Sequence, residues 1–589
     1  MTYGFKGGIV MKSSVLLRFF KDHKYSYAAG FMFMFAASFV QTLFPKLLGI
    51  AVDLMKESRF ETRQVLILVA WMALIAVGAF ICTFLWRNMI IANARNLECF
   101  YREELFRHML KLSPSFYNTR KTGDLIAYAI NDISAVRMTF GPATAMSFNG
   151  IVLCLSSIYF MFATVDVRLT LITLSPLPLI IVLMLFTGRK IQMRFRTVQE
   201  QFGLISDRVQ ENISGIRVIK AYVQEHSEME KFSGLSSRML QSNMDLIKVS
   251  AALPPLIEFG FAVCFVLNLV FGSRMVLRGT ISIGDFVAFN GYLSLIASPI
   301  VSIGRVVTIF QRGMASLGRL QNILSIQPDI VDIPHPLRIQ PSGNIELRHL
   351  TFQYEGAEVP ALRDISLQLP KGHTLGIIGP TGSGKSTLAA LLFRLYNVEP
   401  GQILLDNQDI NEYALDILRE SFAFVPQETF VFAASVKENI VFFKDDYNDD
   451  EVENAARLSL IADSIDGFPD GYDTILGERG VNLSGGQKQR MAIARALIRN
   501  PAVLILDDAL SAVDAVTEGH ILNSLRQTRK GKTNILISHR ISAILEADEI
   551  IVLDRGLIRE RGTHEQLLKK GGMYYDIYTT QQEDGLPAS

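Results

Sequence analysis

The stretch at 379–387 constrains the fold of this chain more than any other. It reads Gly-Pro-Thr-Gly-Ser-Gly-Lys-Ser-Thr, which matches the pattern G-x-x-x-x-G-K-[ST]. An apolar strand-like run, 374–378, precedes it, and a helix-like run follows it. The glycines allow backbone N–H groups to curl around phosphate oxygens, and a helix that begins there points its N-terminus at the anion. The pattern therefore predicts a strand, a phosphate-binding loop and a helix in succession.

The side chains of this loop predict a nucleotide site with Mg²⁺. Lys385 supplies a positive charge for the β- and γ-phosphates of a nucleotide, and the Ser386 hydroxyl can bind Mg²⁺. The candidate nucleotide-binding residues of the loop are Gly379, Gly382, Ser383, Gly384, Lys385, Ser386 and Thr387.

The back half of the chain predicts an α/β domain with a largely parallel sheet. Residues 344–353 alternate apolar and polar side chains as a strand does. Short apolar runs then alternate with helical stretches, and they lie at 374–378, 503–506, 535–538 and 550–553. The run 503–506 ends in Asp507, a position where P-loop enzymes carry the carboxylate that holds Mg²⁺.

The front half of the chain predicts a membrane domain. Hydrophobic residues make up 49% of the chain, and its mean hydropathy is +0.26, which is high for a soluble protein. Six apolar segments are long enough to span a bilayer, and they lie near 27–50, 65–91, 142–165, 169–187, 252–273 and 285–309. The segment 196–235 between two of them has helical periodicity and no proline, which favours spans that continue as helices into the cytosol over a separate soluble insertion.

The distribution of basic residues predicts the orientation in the membrane. Lys and Arg number seven in 92–140 and ten in 188–250, but only three, one and two in 51–64, 166–168 and 274–284. The positive-inside rule places both termini and the two long loops in the cytoplasm. The net charge of +1 gives no overall attraction to nucleic acid, and none is expected as a partner. The four cysteines show no metal-ligand spacing.

Composition also predicts the domain boundaries. Residues 326–343 contain four prolines and break the helical periodicity. We expect a transmembrane domain at 1–325, a linker at 326–343, a nucleotide-binding α/β domain at 344–580, and a tail at 581–589. Met11 is a possible alternative start of translation.

A second motif, Leu-Ser-Gly-Gly-Gln at 483–487, predicts another anion site. Ser484 stands at the N-cap position before a helical run. Its hydroxyl, the N–H groups of Gly485 and Gly486, and the helix dipole together suit a phosphate.

These motifs, in this order and at this spacing, resemble those of the ATP-binding cassette (ABC) transporters, and in particular of exporters with six spans and one cassette in a chain. Further matches are Tyr354 for adenine stacking, Gln427 for sensing Mg²⁺ and the membrane domain, 477–480 for the export-specific loop, 511–514 for a dimer contact, and His539 for the γ-phosphate. Residues 113–124 and 215–222 look like the family's loops that dock on cassettes.

The resemblance implies ATP and Mg²⁺ as cofactors and a dimer in the lipid bilayer. In the family, two cassettes sandwich two ATP molecules, and Ser484, Gly485, Gly486 and Gln487 would act on the ATP of the partner chain. Ser386, Gln427 and Asp507 would hold the metal. One chain carries only half of such a pump, so the partner is a second half-transporter.

Asp508 departs from the family pattern, which usually has glutamate after the Mg²⁺ aspartate to polarise the attacking water. Aspartate is shorter by one methylene, and displacements near 1 Å can cost about 10²-fold in rate. We expect a heterodimer that resembles bacterial heterodimeric multidrug exporters, in which this chain hydrolyses ATP slowly and its signature completes a competent site on the partner. The alternative is a homodimer that tolerates Asp508. The catalytic candidates are Asp508, His539 and Gln427.

The cargo is predicted only as a class. We expect efflux of amphipathic or hydrophobic compounds across the cytoplasmic membrane, with Glu258, a carboxylate inside the fifth predicted span, as a possible cargo contact. A lipid flippase is the alternative among pumps. An ATP-gated channel or receptor without pumping is the alternative from another class, and the six spans argue against the soluble cassette ATPases of DNA repair and translation.

Overall fold

The structure is a computed structural model that describes residues 14–56, 62–444, 446–477, 480 and 482–583. It divides into two compact units. The membrane unit comprises the described residues up to 110 together with 122–326, and the cassette unit comprises 111–121 with the described residues from 327 onwards. The possible start at Met11 and residues 584–589 of the predicted tail lie outside the described residues.

The membrane unit is helical throughout its described residues apart from short turns. The described residues up to 326 form fourteen α-helices, numbered in chain order, and one of them, α4, belongs to the cassette unit. They are α1 Ser14–Asp22, α2 Lys24–Lys56, α3 Thr62–Met109, α4 Pro114–Asn118, α5 Thr122–Ala127, α6 Ile133–Met138, α7 Thr144–Phe160, α8 Val167–Leu174, α9 Leu177–Ser214, α10 Ile216–Ala221, α11 Glu225–Ser250, α12 Leu253–Leu267, α13 Ser273–Leu277 and α14 Ile283–Leu324.

Within the described residues, six stretches of helix are long and apolar enough to cross a bilayer. They are Lys24–Met55, Leu66–Met109, Thr122–Val165, Val167–Ser214, Glu225–Leu277 and Ile283–Leu324. The stretch Glu225–Leu277 has 53 residues, or roughly 80 Å of helix at 1.5 Å per residue, whereas the hydrocarbon core is about 30 Å thick. The predicted fold class, six spans with long helical extensions, is therefore confirmed.

Close helix contacts explain several glycines of the membrane unit. A Cβ on Gly49 of α2 would lie 2.6 Å from the carbonyl oxygen of Gly284 on α14. The Gly284 N–H donates to the Asp53 carboxylate at 2.7 Å, which satisfies one of the free N–H groups at the start of α14. The Ser282 and Asp285 side chains complete a capping box at the same end. The ends of α2 and α14 are thus joined by the close approach of their backbones and by a hydrogen bond to the Asp53 carboxylate.

The cassette unit is an α/β domain with two sheets. Its strands are β1 Ile345–Phe352, β2 Leu362–Leu369, β3 Thr374–Ile378, β4 Ile403–Leu405, β5 Gln408–Asp409, β6 Phe422–Val425, β7 Val503–Asp507, β8 Thr533–Ile537, β9 Glu549–Asp554 and β10 Leu557–Gly562. Its later helices are α15 Lys385–Leu392, α16 Leu415–Ser421, α17 Val436–Val441, α18 Asp449–Leu458, α19 Ala462–Asp466, α20 Gly485–Ile498, α21 Ala515–Thr528, α22 His564–Lys570 and α23 Met573–Glu583.

The larger sheet has the order β10-β9-β3-β8-β7-β6, and its five strands from β9 to β6 are parallel. Alternate residues enter two different cores: Ile377 and Ile505 pack with α15 and the smaller sheet, whereas Leu504 and Val552 pack with α20 and α21. Burial on both faces explains why these strands are continuous apolar runs in the sequence. The smaller sheet is antiparallel, with the order β2-β1-β4-β5.

The predicted linker makes regular contacts within the cassette unit. Leu337 exchanges two backbone hydrogen bonds with the segment before α16, since its N–H donates to Glu412 O at 2.7 Å and its carbonyl accepts from Ala414 N at 2.9 Å. The Arg394 guanidinium donates to Val331 O at 2.9 Å. Residues 327–343 are therefore held against the α/β fold by backbone atoms.

Candidate nucleotide site

The parallel strands bring the predicted catalytic residues to one edge of the large sheet. The loop 379–384 follows β3, the bend containing Gln427 follows β6, Asp507 ends β7, and His539 lies two residues beyond β8. These strands are neighbours in the sheet, and their carboxyl ends lie on the same side. Ligands of open α/β sheets bind at this edge.

The phosphate loop has the backbone that its glycines allow. Gly382 and Gly384 adopt φ values of 80° and 103°, in the left-handed region that L side chains avoid. A Cβ on Gly384 would also lie 2.6 Å from Ala361 O. The helix α15 begins at the next residue, Lys385, so its free N–H groups face the loop.

Lys385 lies folded over the loop. Its Nζ donates to the carbonyl oxygens of Gly379 at 2.8 Å and Pro380 at 3.0 Å. Burial lowers the pKa of Lys385, while the nearby charges of Asp507 and Asp508 oppose that shift. An ammonium that is buried and bonded only to carbonyl oxygens gains when an anion approaches it.

Two hydroxyl groups of the loop also fit a triphosphate with its metal. The Ser383 side chain is 2% exposed, and its Oγ has no hydrogen-bond partner among the described residues. The Ser386 side chain hydrogen-bonds to Asp507, which is buried at the end of β7. Burial raises the pKa of Asp507; Asp508 adds to the shift, and Ser386, Lys385 and His539 oppose it. A buried polar atom without a partner is costly, and a phosphate oxygen would supply one.

The metal candidates are hard oxygen donors. Across the described residues, no three His, Cys, Asp or Glu side chains gather in a metal-binding cluster. Ser386 and Asp507 give one hydroxyl and one carboxylate, a set that suits Mg²⁺, which keeps waters and takes substrate phosphates as ligands. Gln427 is exposed in the bend after β6.

Tyr354 stands between the phosphate loop and a cavity. Its hydroxyl donates to Thr387 Oγ1 at 3.0 Å. Its ring meets Phe352 and Tyr396 edge to face, with centroid distances of 5.0 and 5.2 Å. The adjoining cavity, about 390 Å³, is bounded by Tyr354 on one side. This position is suitable for stacking on a base whose phosphates lie in the loop.

Asp508 adopts a left-handed backbone conformation, which is uncommon for residues other than glycine, although aspartate tolerates it better than most. Its φ is 48°, and its N–H donates to Ile537 O on the neighbouring strand at 2.8 Å. One carboxylate oxygen lies 3.5 Å from the backbone nitrogen of His539. The left-handed backbone turns the chain directly after β7 and sets Asp508 beside the predicted γ-phosphate histidine.

The signature Leu483–Gln487 forms the start of α20 as predicted from its N-cap pattern. Ser484 Oγ accepts from Gln487 N at 3.3 Å, and the Gln487 side chain accepts from Ser484 N at 2.8 Å. Ser484 and Gly485 are exposed. Glu478 and Arg479 of the predicted export-specific loop lie outside the described residues.

Sequence reasoning missed an ion pair behind this edge. Arg540, next to His539, donates to Glu518 at 3.0 Å and to the carbonyl oxygens of Ser511 at 3.1 Å and Val513 at 3.3 Å. Glu518 is 3% exposed. The sequence gives only a weak signal for this ion pair, namely that an arginine follows the histidine. Only the fold shows that Arg540 meets Glu518, which lies 22 residues earlier in the chain.

The two predicted docking segments differ in their surroundings. Residues 111–121 group with the cassette unit: Ser113 Oγ donates to Asp329 at 2.8 Å, and Asn118 Nδ2 donates to Tyr396 OH at 2.9 Å. By contrast, α10 in the membrane unit carries exposed apolar side chains at Ile216 and Val218, and the exposed Tyr222 follows it directly.

Six candidate spans joined to a P-loop nucleotide site define an ATP-using integral membrane protein. The family model described as the ABC transporter transmembrane region matches residues 27–300, and the model described as ABC transporter matches 362–511. The chain belongs to the ABC transporter family.

Relatives cover almost the whole chain. It is 37% identical to a probable multidrug resistance ABC transporter ATP-binding/permease protein, YheI, of Bacillus subtilis, over 96% of each chain. It is 36% identical to the multidrug resistance-like ATP-binding protein MdlA of Escherichia coli, over 96% of this chain and 95% of MdlA. It is 33% identical to an ATP-dependent lipid A-core flippase of Photobacterium profundum, over 90% and 89%.

A solved structure agrees with the fold. A bacterial Atm1-family ABC exporter with ATP bound superposes with a TM-score of 0.77 at 26% identity, and the match covers 96% of this chain and 100% of the exporter chain. The protein is therefore a multi-pass membrane half-transporter that binds and hydrolyses ATP to drive export, and such half-transporters function as dimers.

Proposed function

We propose that this chain is half of a multidrug pump of the cytoplasmic membrane, with both termini and the cassette in the cytoplasm. Its cargo would be amphipathic or hydrophobic compounds. The supporting observation is the pairing of a complete phosphate loop with relatives whose names record multidrug resistance over nearly the whole chain. The excess of basic residues in 92–140 and 188–250 supports the orientation.

Each residue of the nucleotide site has a proposed role that its position supports. Tyr354 stacks on adenine, and the backbone and Lys385 of the loop 379–387 hold the phosphates. Ser386, Asp507 and Gln427 hold Mg²⁺, which supplies charge neutralisation on the phosphates. Asp508 orients the attacking water, and His539 contacts the γ-phosphate. The buried, unpartnered hydroxyl of Ser383 supports the phosphate assignment.

We further propose that the dimer is a heterodimer. The carboxylate of Asp508 is one methylene shorter than the usual glutamate, so at a given backbone position it reaches less far toward a water beside the γ-phosphate. The signature at 483–487 is intact, and its exposed N-cap is free to meet a partner's ATP. This chain would thus hydrolyse slowly at its own site and complete a competent site on a partner that carries glutamate.

Exposed apolar side chains support the presence of a partner. In the membrane unit, Tyr222 and Val223 at the end of α10 are 73% and 79% exposed. In the cassette unit, a group of exposed aromatic residues comprises Phe430, Phe432, Phe442 and Phe443. Monomeric proteins rarely leave such patches uncovered.

Cargo binding is proposed for the membrane unit. Between α7 and α14 lies a cavity of about 330 Å³ whose lining, including Ile151, Pro299 and Val306, is almost entirely apolar. Glu258 on α12 is exposed and has no polar partner among the described residues. An intramembrane carboxylate would suit the positive charge of an amphipathic cation.

Transport into inside-out vesicles tests the pump. We expect ATP-dependent accumulation of a lipophilic cationic dye above the external concentration, abolished by Lys385→Ala. Equilibration without accumulation would favour a gated channel, and dye transport that survives Lys385→Ala would show that ATP binding at this chain's own site is not needed for pumping. The P. profundum relative favours lipid as a second cargo class. Translocation of a headgroup-labelled lipid without dye accumulation would establish a flippase.

Native mass spectrometry of the complex, purified from its host with a tag on this chain, tests the heterodimer. We expect one copy of this chain with one different half-transporter. Two copies of this chain alone would show that Asp508 works at both sites, and the slow-site proposal would then be wrong.

A further inference from the structure

A buried glutamine of the signature helix holds the loop that carries Asp508. Gln489 lies on α20 and is 5% exposed. Its Oε1 accepts from Ala512 N at 2.9 Å, and its Nε2 donates to Ser511 Oγ at 3.0 Å and to Asp508 O at 3.4 Å. One side chain therefore fixes both ends of the turn 508–512.

The start of the same helix touches this turn directly. A Cβ on Gly486 would lie 2.9 Å from Ala512 O, and a Cβ on Gly485 would lie 3.4 Å from Ala512 Cβ. Ser484 and Gln489 are five positions apart, which is less than two helical turns. A displacement of the N-terminus of α20 therefore acts on the turn 508–512 through both backbone contact and the Gln489 amide.

The backbone of Asp508 needs such support. A left-handed backbone costs a non-glycine residue some strain, less for aspartate than for most residues, so the contacts around Asp508 help to hold its φ of 48°. The Asp508 carbonyl accepts from Ser511 Oγ at 2.8 Å as well as from Gln489, while Arg540 binds the far side of the loop at Ser511 O and Val513 O. The Asp508 side chain is short, so the position of its carboxylate follows that of the backbone.

We propose that Gln489 is a positioning residue that couples the signature at the start of α20 to the carboxylate at position 508, so that engagement of the partner's nucleotide aligns this chain's own hydrolytic site. The inference rests on the proposed function, in which Ser484–Gln487 acts on the partner's ATP. It adds a path inside one chain from one ATP to the other, through Gln489 and the turn 508–512.

Vanadate trapping of 8-azido-ADP on this chain, in the full complex, tests the inference site by site. Asp508→Glu is expected to raise the trapped label on this chain at least tenfold, because the longer carboxylate reaches the water. Adding Gln489→Met, which keeps the volume and removes all three hydrogen bonds, is expected to lose most of that gain. Labelling with 8-azido-ATP on ice, which reports binding alone, is expected to stay within twofold in both variants.

A matched control separates positioning from general damage to the helix. Arg490 is the next residue on α20, and its guanidinium bonds to Leu460 O and Ser464 Oγ, away from the turn 508–512. Arg490→Met in the Asp508→Glu background is expected to keep the trapped label. If Gln489→Met does not assemble, Gln489→Glu replaces it, because it keeps the acceptor for Ala512 N–H and removes both donations from Nε2.

The outcomes are distinct. Full trapping in the doubly changed chain would overturn the role of Gln489. If Asp508→Glu alone brought no gain, the slow-site proposal would fall, and Gln489→Met in the unchanged chain would then have to lower trapping at least fivefold for the inference to stand. Unchanged trapping there would overturn it as well.

Discussion

At the scale of the residue, Gly384 and Gly519 contrast a glycine that the backbone geometry requires with one that it does not. Gly384 has φ 103° and no room for a Cβ, which would meet Ala361 O at 2.6 Å. Gly519 lies inside α21, and a Cβ there would meet nothing within 4 Å. One glycine is required by the geometry of the phosphate loop, and the other lowers the stability of its helix.

Alanine at these two glycines should therefore act in opposite directions. We expect Gly384→Ala to destabilise the cassette by about 1–3 kcal/mol and to weaken ATP binding more than tenfold, since both strain and collision deform the loop. Gly519→Ala should leave ATP affinity unchanged and stabilise the cassette by up to about 1 kcal/mol. Thermal unfolding and equilibrium ATP binding measure both effects. Equal behaviour of the two variants would contradict the geometric explanation.

Tyr354 offers a second test at this scale. Tyr354→Ala removes the ring proposed to stack on adenine and should weaken ATP binding roughly 5- to 150-fold, because stacking on an aromatic ring contributes about 1–3 kcal/mol per base. Tyr354→Phe keeps the ring, loses only the bond to Thr387, and should stay within about threefold. The affinity of inorganic triphosphate, which has no base, should be alike in both variants. A Tyr354→Phe defect as large as that of Tyr354→Ala would contradict stacking.

At the scale of the element, the membrane helices are joined at their ends by a contact that the apolar pattern does not reveal. Apolar run length predicts that α2 and α14 span the bilayer, because bilayer thickness sets the number of residues. It does not predict that Gly49 meets Gly284 or that Asp53 accepts from the start of α14. Those contacts join residues more than 230 positions apart and depend on which helix faces meet.

Filling this contact should loosen the helix pair. We expect Gly284→Ala to lower stability by about 1–3 kcal/mol, since its Cβ would meet the Gly49 carbonyl and the Asp53 carboxylate. Gly304→Ala, on the same helix with nothing within 4 Å, is the matched control and should leave the stability unchanged or raise it by up to about 1 kcal/mol. Thermal unfolding of the purified full-length protein in detergent measures both. An unfolding midpoint of Gly284→Ala at or above that of Gly304→Ala would refute the close approach of α2 and α14.

At the nucleotide site, too, the sequence predicts features that depend on local pattern but not contacts between residues far apart in the chain. The phosphate loop, Asp507 and the N-cap Ser484 could be predicted because each chemistry depends on neighbours in the chain. The hydroxyl of Tyr354, the ion pair of Arg540 with Glu518, and the amide of Gln489 act through partners 19 to 33 residues away. Of the antiparallel sheet, the sequence predicts only β1: β4 and β5 are three and two residues long, and the eight-residue β2 is missed because its apolar and polar residues do not alternate strictly.

At the scale of the whole molecule, orientation is the property most open to test. All four native cysteines are free thiols, so a cysteine-free chain is a suitable background for single labels. Thr280 lies in the predicted outer loop 274–284 and Ser236 in the predicted inner loop, and both are exposed.

We expect an impermeant maleimide added to intact cells to label Thr280→Cys and not Ser236→Cys. In inside-out vesicles the pattern should reverse. Because the positive-inside rule compares loops on the two sides, labelling of Ser236→Cys in intact cells would place the termini outside and overturn the proposed orientation.

The position of residues 111–121 in the chain has a consequence for synthesis. Ser113 hydrogen-bonds to Asp329 and Asn118 to Tyr396, partners 216 and 278 residues further along. A ribosome adds about 5–20 residues per second, so this segment waits on the order of ten seconds to a minute for the surface it will cover. The helices α3 and α5, which flank this segment in the sequence, have already been synthesised by then. The cassette unit can complete its fold only after the membrane unit has been synthesised. A cassette produced from residue 344 onwards would lack residues 111–121, which are part of the same compact unit.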